Sequence, residues 1–205
     1  MSEAPARRTA LAGRFGPSPA DKSCRLAEAP PATRFSLRGR PGIAKAAAPA
    51  LGFALPPVGR SATSGDVTAL ALSPDEWLLI APDGYAVPVA DGYAIPVADG
   101  HAASLADALP SALANVPHAL VDVSHRNTAI TVSGPAAARI LNHGCPLDLG
   151  LAAFPVGFAT RTLLAKAEIV LWRTSEDQFR VEVWRSFSHY AANFLAEARL
   201  EYEVT

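Results

Sequence analysis

The sequence predicts an α+β fold, mainly antiparallel sheet with helices packed on one face, and three observations carry that prediction. The stretch ALVDVSHRNTAITVSGPAAARILNHGCPLDL, residues 119–149, reads as strand, strand, helix. Two segments, 67–81 and 167–184, have the apolar/polar alternation of hairpins folded about polar turns. A closing segment from residue 185 places apolar residues at helical spacing. Strands that arrive in hairpins, without a helix between each pair, mark an α+β domain and not a parallel α/β one.

Taken in order, residues 1–32 are rich in Ala, Pro, Arg and Gly with few large apolar groups, and are expected to form a flexible basic extension. Residues 33–205 are expected to form one domain. Arg34-Phe-Ser-Leu-Arg38 alternates as its first strand, and the Gly- and Pro-rich stretch 39–59 reads as a loop with one weak helical turn between Ile43 and Leu55. Val67–Leu72 and Trp77–Ala81 pair across Ser73-Pro-Asp-Glu76, where Pro74 presets the φ of a type I turn; Trp77 is expected to be a core anchor. The octad DGYAVPVA then repeats as DGYAIPVA and DGHA over 83–102. Each Asp-Gly is a turn signal and each Val/Ile-Pro an extended one, so this reads as a repeat-expanded exposed loop. A short helix over 102–109 should end before Pro110, with one more turn at 111–115.

In the central stretch, Val121 and Val123 alternate with Leu120 and Asp122, and Ile130 and Val132 resume the period after His125-Arg126-Asn127. Pro135 suits a first helical position and Gly144 a left-handed closing one. A loop over 147–157 leads to a strand at 159–164. The hairpin 167–184 turns at 174–177, with Phe179, Val181 and Val183 on one face. Ser186 is placed as the N-cap of a helix whose stripe is Phe187, Tyr190, Ala191, Phe194, Leu195 and Ala198.

Composition narrows the function. The formal net charge of −1 conceals an asymmetry: residues 1–40 hold eight Lys/Arg against three Asp/Glu, whereas 61–125 hold eight acidic residues and no Lys or Arg. That is the wrong distribution for a nucleic-acid face. The two cysteines, Cys24 and Cys145, are too few and too far apart for a disulfide framework, so a reducing cytoplasm is expected. No apolar run reaches membrane-spanning length and no export signal is read at the start, so no membrane partner is expected.

No dinucleotide or P-loop motif is present. His143, Cys145 and Asp148 match no zinc spacing, and nothing brings Cys145 to His125 as a nucleophile–base pair. No catalytic, cofactor-binding or metal residue is assigned. His125 and Arg126 at a strand end, with Arg161 and Arg185 beside strands, are the candidate subunit-interface residues; a plain turn and ordinary surface arginines are the bland alternatives.

Several short motifs in a fixed order give this chain a resemblance. They are RFSLR at 34–38, SPDEWLL at 73–79, VDVSHR at 121–126, VSGPAA at 132–137, GCPLDL at 144–149, FPVG at 154–157, Arg161-Thr162 and Arg185-Ser-Phe187. Together the sequence resembles the gamma subunit family of heterotetrameric sarcosine oxidase, across roughly residues 33–200, with Ser73 where the family more often has Gly. The resemblance implies a non-catalytic subunit that braces a complex oxidising sarcosine to glycine and hydrogen peroxide, the one-carbon unit passing to tetrahydrofolate or leaving as formaldehyde. It implies FAD, FMN, NAD, tetrahydrofolate and zinc on other subunits and none on this chain, with alpha, beta and delta subunits as partners, chiefly alpha. The family is also similar to part of the folate-binding aminomethyltransferase fold. The rival expectation is therefore a small folate-binding one-carbon transferase, which the short chain and the want of a downstream Asn-Asp pair disfavour.

Overall fold

The structure, a computed structural model, describes residues 9–17, 22–40, 42–83 and 105–202. The repeat beyond Asp83 and the first eight residues lie outside the described residues. The chain divides into two compact units, residues 32–124 and residues 1–31 with 125–205. This corrects the expectation of a single domain over 33–205: each unit has its own sheet and its own buried cluster.

In the unit of residues 32–124, five antiparallel strands lie in the order β3-β4-β5-β2-β6. They are β2 (Ala32–Gly39), β3 (Ser61–Ser64), β4 (Val67–Ser73), β5 (Glu76–Pro82) and β6 (His118–Asp122). The helices α1 (Ile43–Leu51) and α2 (Leu105–Leu113) share a buried cluster with Leu37, Ala69, Leu79 and Trp77. The β4–β5 hairpin forms as its alternation predicts, with the Ser73 hydroxyl on Asp75 Oδ1 at 2.6 Å closing the turn. Trp77 is buried and its indole N–H donates to the Pro56 carbonyl at 3.0 Å, which fixes the loop after α1 on the sheet. Two expectations fail here. Residues 43–51 form a full helix through Pro49, closed by Gly52 at φ 76°. Helix α2 runs through Pro110 to Leu113. Within β6, Leu120 packs against the buried cluster and Val121, on the alternate face, is exposed.

The other unit has strand order β1-β7-β10-β9-β8, again all antiparallel: β1 (Arg25–Glu28), β7 (Asn127–Ser133), β8 (Ala159–Leu164), β9 (Ala167–Ser175) and β10 (Gln178–Trp184). Helices α3 (Ala137–Asn142) and α4 (Arg185–Leu200) cover one face, over Ile130, Val132, Phe179, Val181 and Val183. The expected flexible extension is thereby corrected over its described part. Arg25–Glu28 pairs with Ile130–Ser133, and Leu11, Cys24 and Leu26 are buried in the same cluster. Composition hid this, since three well-placed apolar side chains and a strand ladder are enough to order a segment that is polar on average.

The crossing from β7 to α3 needs glycine. Gly134 sits at φ 123°, and a β-carbon there would stand 2.6 Å from the Ser23 carbonyl oxygen. That same oxygen accepts the Ala136 N–H at 2.9 Å, so the chain before β1 caps the start of α3.

Candidate functional site

The candidate interface residues all belong to this second unit, and strand register shows how its sheet gathers them. Trp184 pairs with Asn127, Val183 with Ile169, and Leu163 with Glu168. The start of β7, the end of β10 and the β8–β9 turn therefore lie at one end of the sheet. His125 and Arg126 form the turn entering β7, and Arg185 follows Trp184. Both are tied directly, because the Arg185 N–H donates to the Arg126 carbonyl at 2.8 Å.

This bond also corrects the placement of Ser186 as N-cap. The helix begins two residues earlier, with Trp184 as its N-cap, and its first orphan N–H finds the Arg126 carbonyl in the turn entering β7 instead of a serine side chain. The buried stripe moves with it. Ser188, Ala191, Ala192, Leu195 and Ala198 face the sheet, whereas Phe187 and Tyr190 are 43% and 39% exposed. Small residues let α4 lie close on the strands, a separation at which the aromatic rings do not fit.

The arginines differ in what they do. The Arg126 guanidinium lies 5.6 Å from the Trp184 ring centroid and its Nε donates to Asn127 Oδ1 at 3.2 Å. Arg161 lies 3.6 Å from the Glu168 carboxylate on the paired strand. Arg185 and His125 are exposed. One row inward on the face away from α4, Arg180 Nε donates to Glu182 Oε1 at 2.8 Å, and the Glu182 side chain is wholly buried.

Residues that could be drawn together as a reactive cluster are held by separate partners. Cys145 Sγ is buried, 3.9 Å from Thr162 Oγ1. His143 Nε2 lies 3.6 Å from Glu201, and Asp148 Oδ1 accepts the Gly150 N–H. Among the described residues no group of three His, Cys, Asp or Glu is placed to hold a metal ion, and no helix is long and apolar enough to cross a membrane.

Sequence reasoning missed the aromatic side of α4. Trp184, Phe187 and Tyr190 are apolar, so periodicity assigned the latter two to the core; the signal that separates them is the neighbouring Ser188, Ala191 and Ala192, the small-residue face of a closely packed helix.

An arrangement of two antiparallel sheets, each with its helices, defines the class. The fold is similar to part of glycine cleavage system aminomethyltransferase T from Bartonella henselae, with a TM-score of 0.59 at 16% identity over 86% of this chain and 46% of that one. The chain belongs to the sarcosine oxidase, gamma subunit family, whose profile matches residues 38–201. It is 32% identical to sarcosine oxidase subunit gamma of Corynebacterium sp. (strain U-96), over the whole of this chain and 93% of that protein. To the Arthrobacter sp. gamma subunit it is 36% identical, over 83% of this chain and 77% of the relative. A chain of heterotetrameric sarcosine oxidase from Corynebacterium sp. U-96, solved with pyrrole 2-carboxylate, superposes with a TM-score of 0.79 at 30% identity over 96% of each chain.

Proposed function

We propose that this chain is the non-catalytic gamma subunit of a heterotetrameric sarcosine oxidase and braces the subunits that carry out the chemistry. In this reading the assembly oxidatively demethylates sarcosine to glycine with release of hydrogen peroxide, and hands the one-carbon unit to tetrahydrofolate. FAD, FMN, NAD and tetrahydrofolate belong to the alpha and beta subunits and zinc to delta. This chain contacts chiefly alpha, through the sheet end that carries His125, Arg126, Arg161 and Arg185. Its compartment is the cytoplasm, which suits two buried free thiols, Cys24 and Cys145.

The observation that carries the reading is the fit to a chain of the solved heterotetramer over nearly the full length of both. It is supported by the occupation of the groups best suited to chemistry: Cys145 in a packed core and His143 beside Glu201. Co-expression with the alpha, beta and delta chains is expected to yield one complex containing this chain in equal stoichiometry. The isolated chain should give no sarcosine-dependent peroxide and no saturable tetrahydrofolate binding. Turnover by the isolated chain would overturn the reading, and folate binding by it would favour the one-carbon transferase.

A further inference from the structure

The sheet end that holds the candidate arginines also exposes large apolar surface. Trp184 is 44% exposed, Phe187 43%, Tyr190 39% and Leu163 47%. Leu163 pairs with Glu168, Trp184 follows Val183, which pairs with Ile169, and the Tyr190 hydroxyl accepts the Lys166 N–H at 3.4 Å, beside the β8–β9 turn. Together these side chains leave roughly 400 Å² of apolar area in water, the size of a functional patch and about half of one partner's share in a standard interface. Trp, Tyr and Arg are also the residue types that dominate binding energy at interfaces.

The charge around this patch is one-sided. Arg126 and Arg185 form no ion pair among the described residues, and the first turn of α4 holds no acidic residue. Of the nearby carboxylates, Glu168 is engaged by Arg161 and Glu182 is buried beside Arg180. A second copy of this chain docked on the same surface would set Arg126 and Arg185 against their own kind. A partner with an apolar centre and carboxylates at its rim meets both features.

We propose that the Trp184–Phe187–Tyr190 surface, rimmed by Arg126 and Arg185, is the docking seat for an acidic, apolar-centred segment of a companion subunit in the same complex. This rests on the subunit reading above. The aromatic side chains supply the buried centre, and the arginines select the partner and accelerate its arrival.

The test titrates full-length chain against the purified complex of the companion subunits, at low and at raised salt. Phe187→Ser/Tyr190→Ser is expected to weaken association at least about 30-fold, the scale of two interface anchors, while its own thermal unfolding stays near that of the parent. Arg126→Gln/Arg185→Gln should weaken association about tenfold at low salt and flatten its salt dependence. Val58→Ser/Val121→Ser, which removes exposed apolar groups from the other unit, should bind as the parent does. Parent-like affinity of the Phe187/Tyr190 variant overturns the seat while leaving the subunit reading intact. Parent-like salt dependence of the arginine variant overturns the acidic partner. Failure of the parent chain to bind its companions overturns the subunit reading, and the seat with it.

Discussion

The ring of Phe194 stands 2.7 Å from where a β-carbon on Gly144 would sit, and the Ala165 nitrogen 2.8 Å from it. Gly144 was expected to close α3 in a left-handed conformation, but it is absent from the residues with positive φ, and α3 ends at Asn142 with His143 as its C-cap. This glycine is required for closeness. The Gly144 carbonyl accepts the Ala165 N–H at 2.8 Å, so the end of α3, the β8–β9 turn and α4 meet at one point. Gly144→Ala should destabilise the chain by roughly 1–3 kcal/mol, the usual cost of overpacking. Adding Phe194→Leu should recover part of that loss in urea unfolding, and Gly144→Asn should be no better than Ala, the opposite of what a left-handed cap predicts.

Arg173 is a buried clamp on the loop between α3 and β8. Its Nη1 donates to the carbonyls of Leu149 and Phe154 at 3.0 and 2.6 Å, Nε and Nη2 both reach the Glu176 carbonyl, and the guanidinium lies 4.5 Å from the Phe179 ring centroid. Arg173→Lys keeps the charge but cannot span these acceptors, so it should cost roughly 2–4 kcal/mol, as expected when buried carbonyls lose their donors. Desolvation lowers the Arg173 pKa from its usual value, partly offset by Asp177 and Glu176. A base that holds its proton less tightly in the folded chain makes stability rise with pH, and only in the alkaline window between its folded and unfolded values. The cost of Arg173→Lys should therefore be level between about pH 5 and pH 8, where arginine stays charged. Denaturant titrations across that range would check it.

Hairpins and strand faces were legible because period-two alternation survives wherever one face is buried: Phe179, Val181 and Val183 are each fully buried, as predicted. What was illegible has identifiable causes. Strand β1 reads RLAE and β3 reads SATS, edge strands whose ladder partners do the ordering that their side chains do not announce. Helix α2 continues past Pro110, where the Ser111 hydroxyl returns to the Asp107 carbonyl at 3.1 Å, a local bond invisible to propensity. At the candidate interface, the polar residues His125, Arg126, Arg161 and Arg185 could be picked from sequence. The exposed aromatics could not, because periodicity reports that a helix has an apolar face without saying which of two adjacent faces meets the sheet.

The Arg180–Glu182 pair should respond asymmetrically to substitution. Glu182 is wholly buried, and Arg180 Nη2 is buried without a hydrogen-bond partner among the described residues. Glu182→Leu strands the arginine's charge and should cost roughly 3–5 kcal/mol. Arg180→Leu/Glu182→Leu should cost clearly less than Glu182→Leu alone, since no uncompensated ion is left behind. A double-mutant cycle in urea measures the difference; equal losses in the single and double variants would mean that the ion pair is not what the site depends on.

The N-terminal segment should behave as a strap with a measurable hold. The Glu28 carboxylate accepts the Thr9 hydroxyl at 2.7 Å and the Leu11 N–H at 3.0 Å, His189 Nε2 lies 2.8 Å from the Ala10 carbonyl, and Leu11 is 2% exposed in the core. Two separate contributions hold it: apolar burial at Leu11 and charge-assisted hydrogen bonds at Glu28. Leu11→Ala should cost roughly 2–3 kcal/mol, at the low end for a buried leucine because the strap's end can relax. Glu28→Gln keeps one acceptor oxygen, turns the other into an NH2 donor and removes the charge, and should cost about 1 kcal/mol. Hydrogen exchange separates strap release from global loss. In Glu28→Gln the Leu11 amide should exchange about fivefold faster, the factor that about 1 kcal/mol gives, while amides of β7 and β10 hold or quicken by no more than the loss of global stability. Unchanged protection at Leu11 in that variant would show that the carboxylate does not anchor the strap, and would return the segment to the flexible arm its composition suggests.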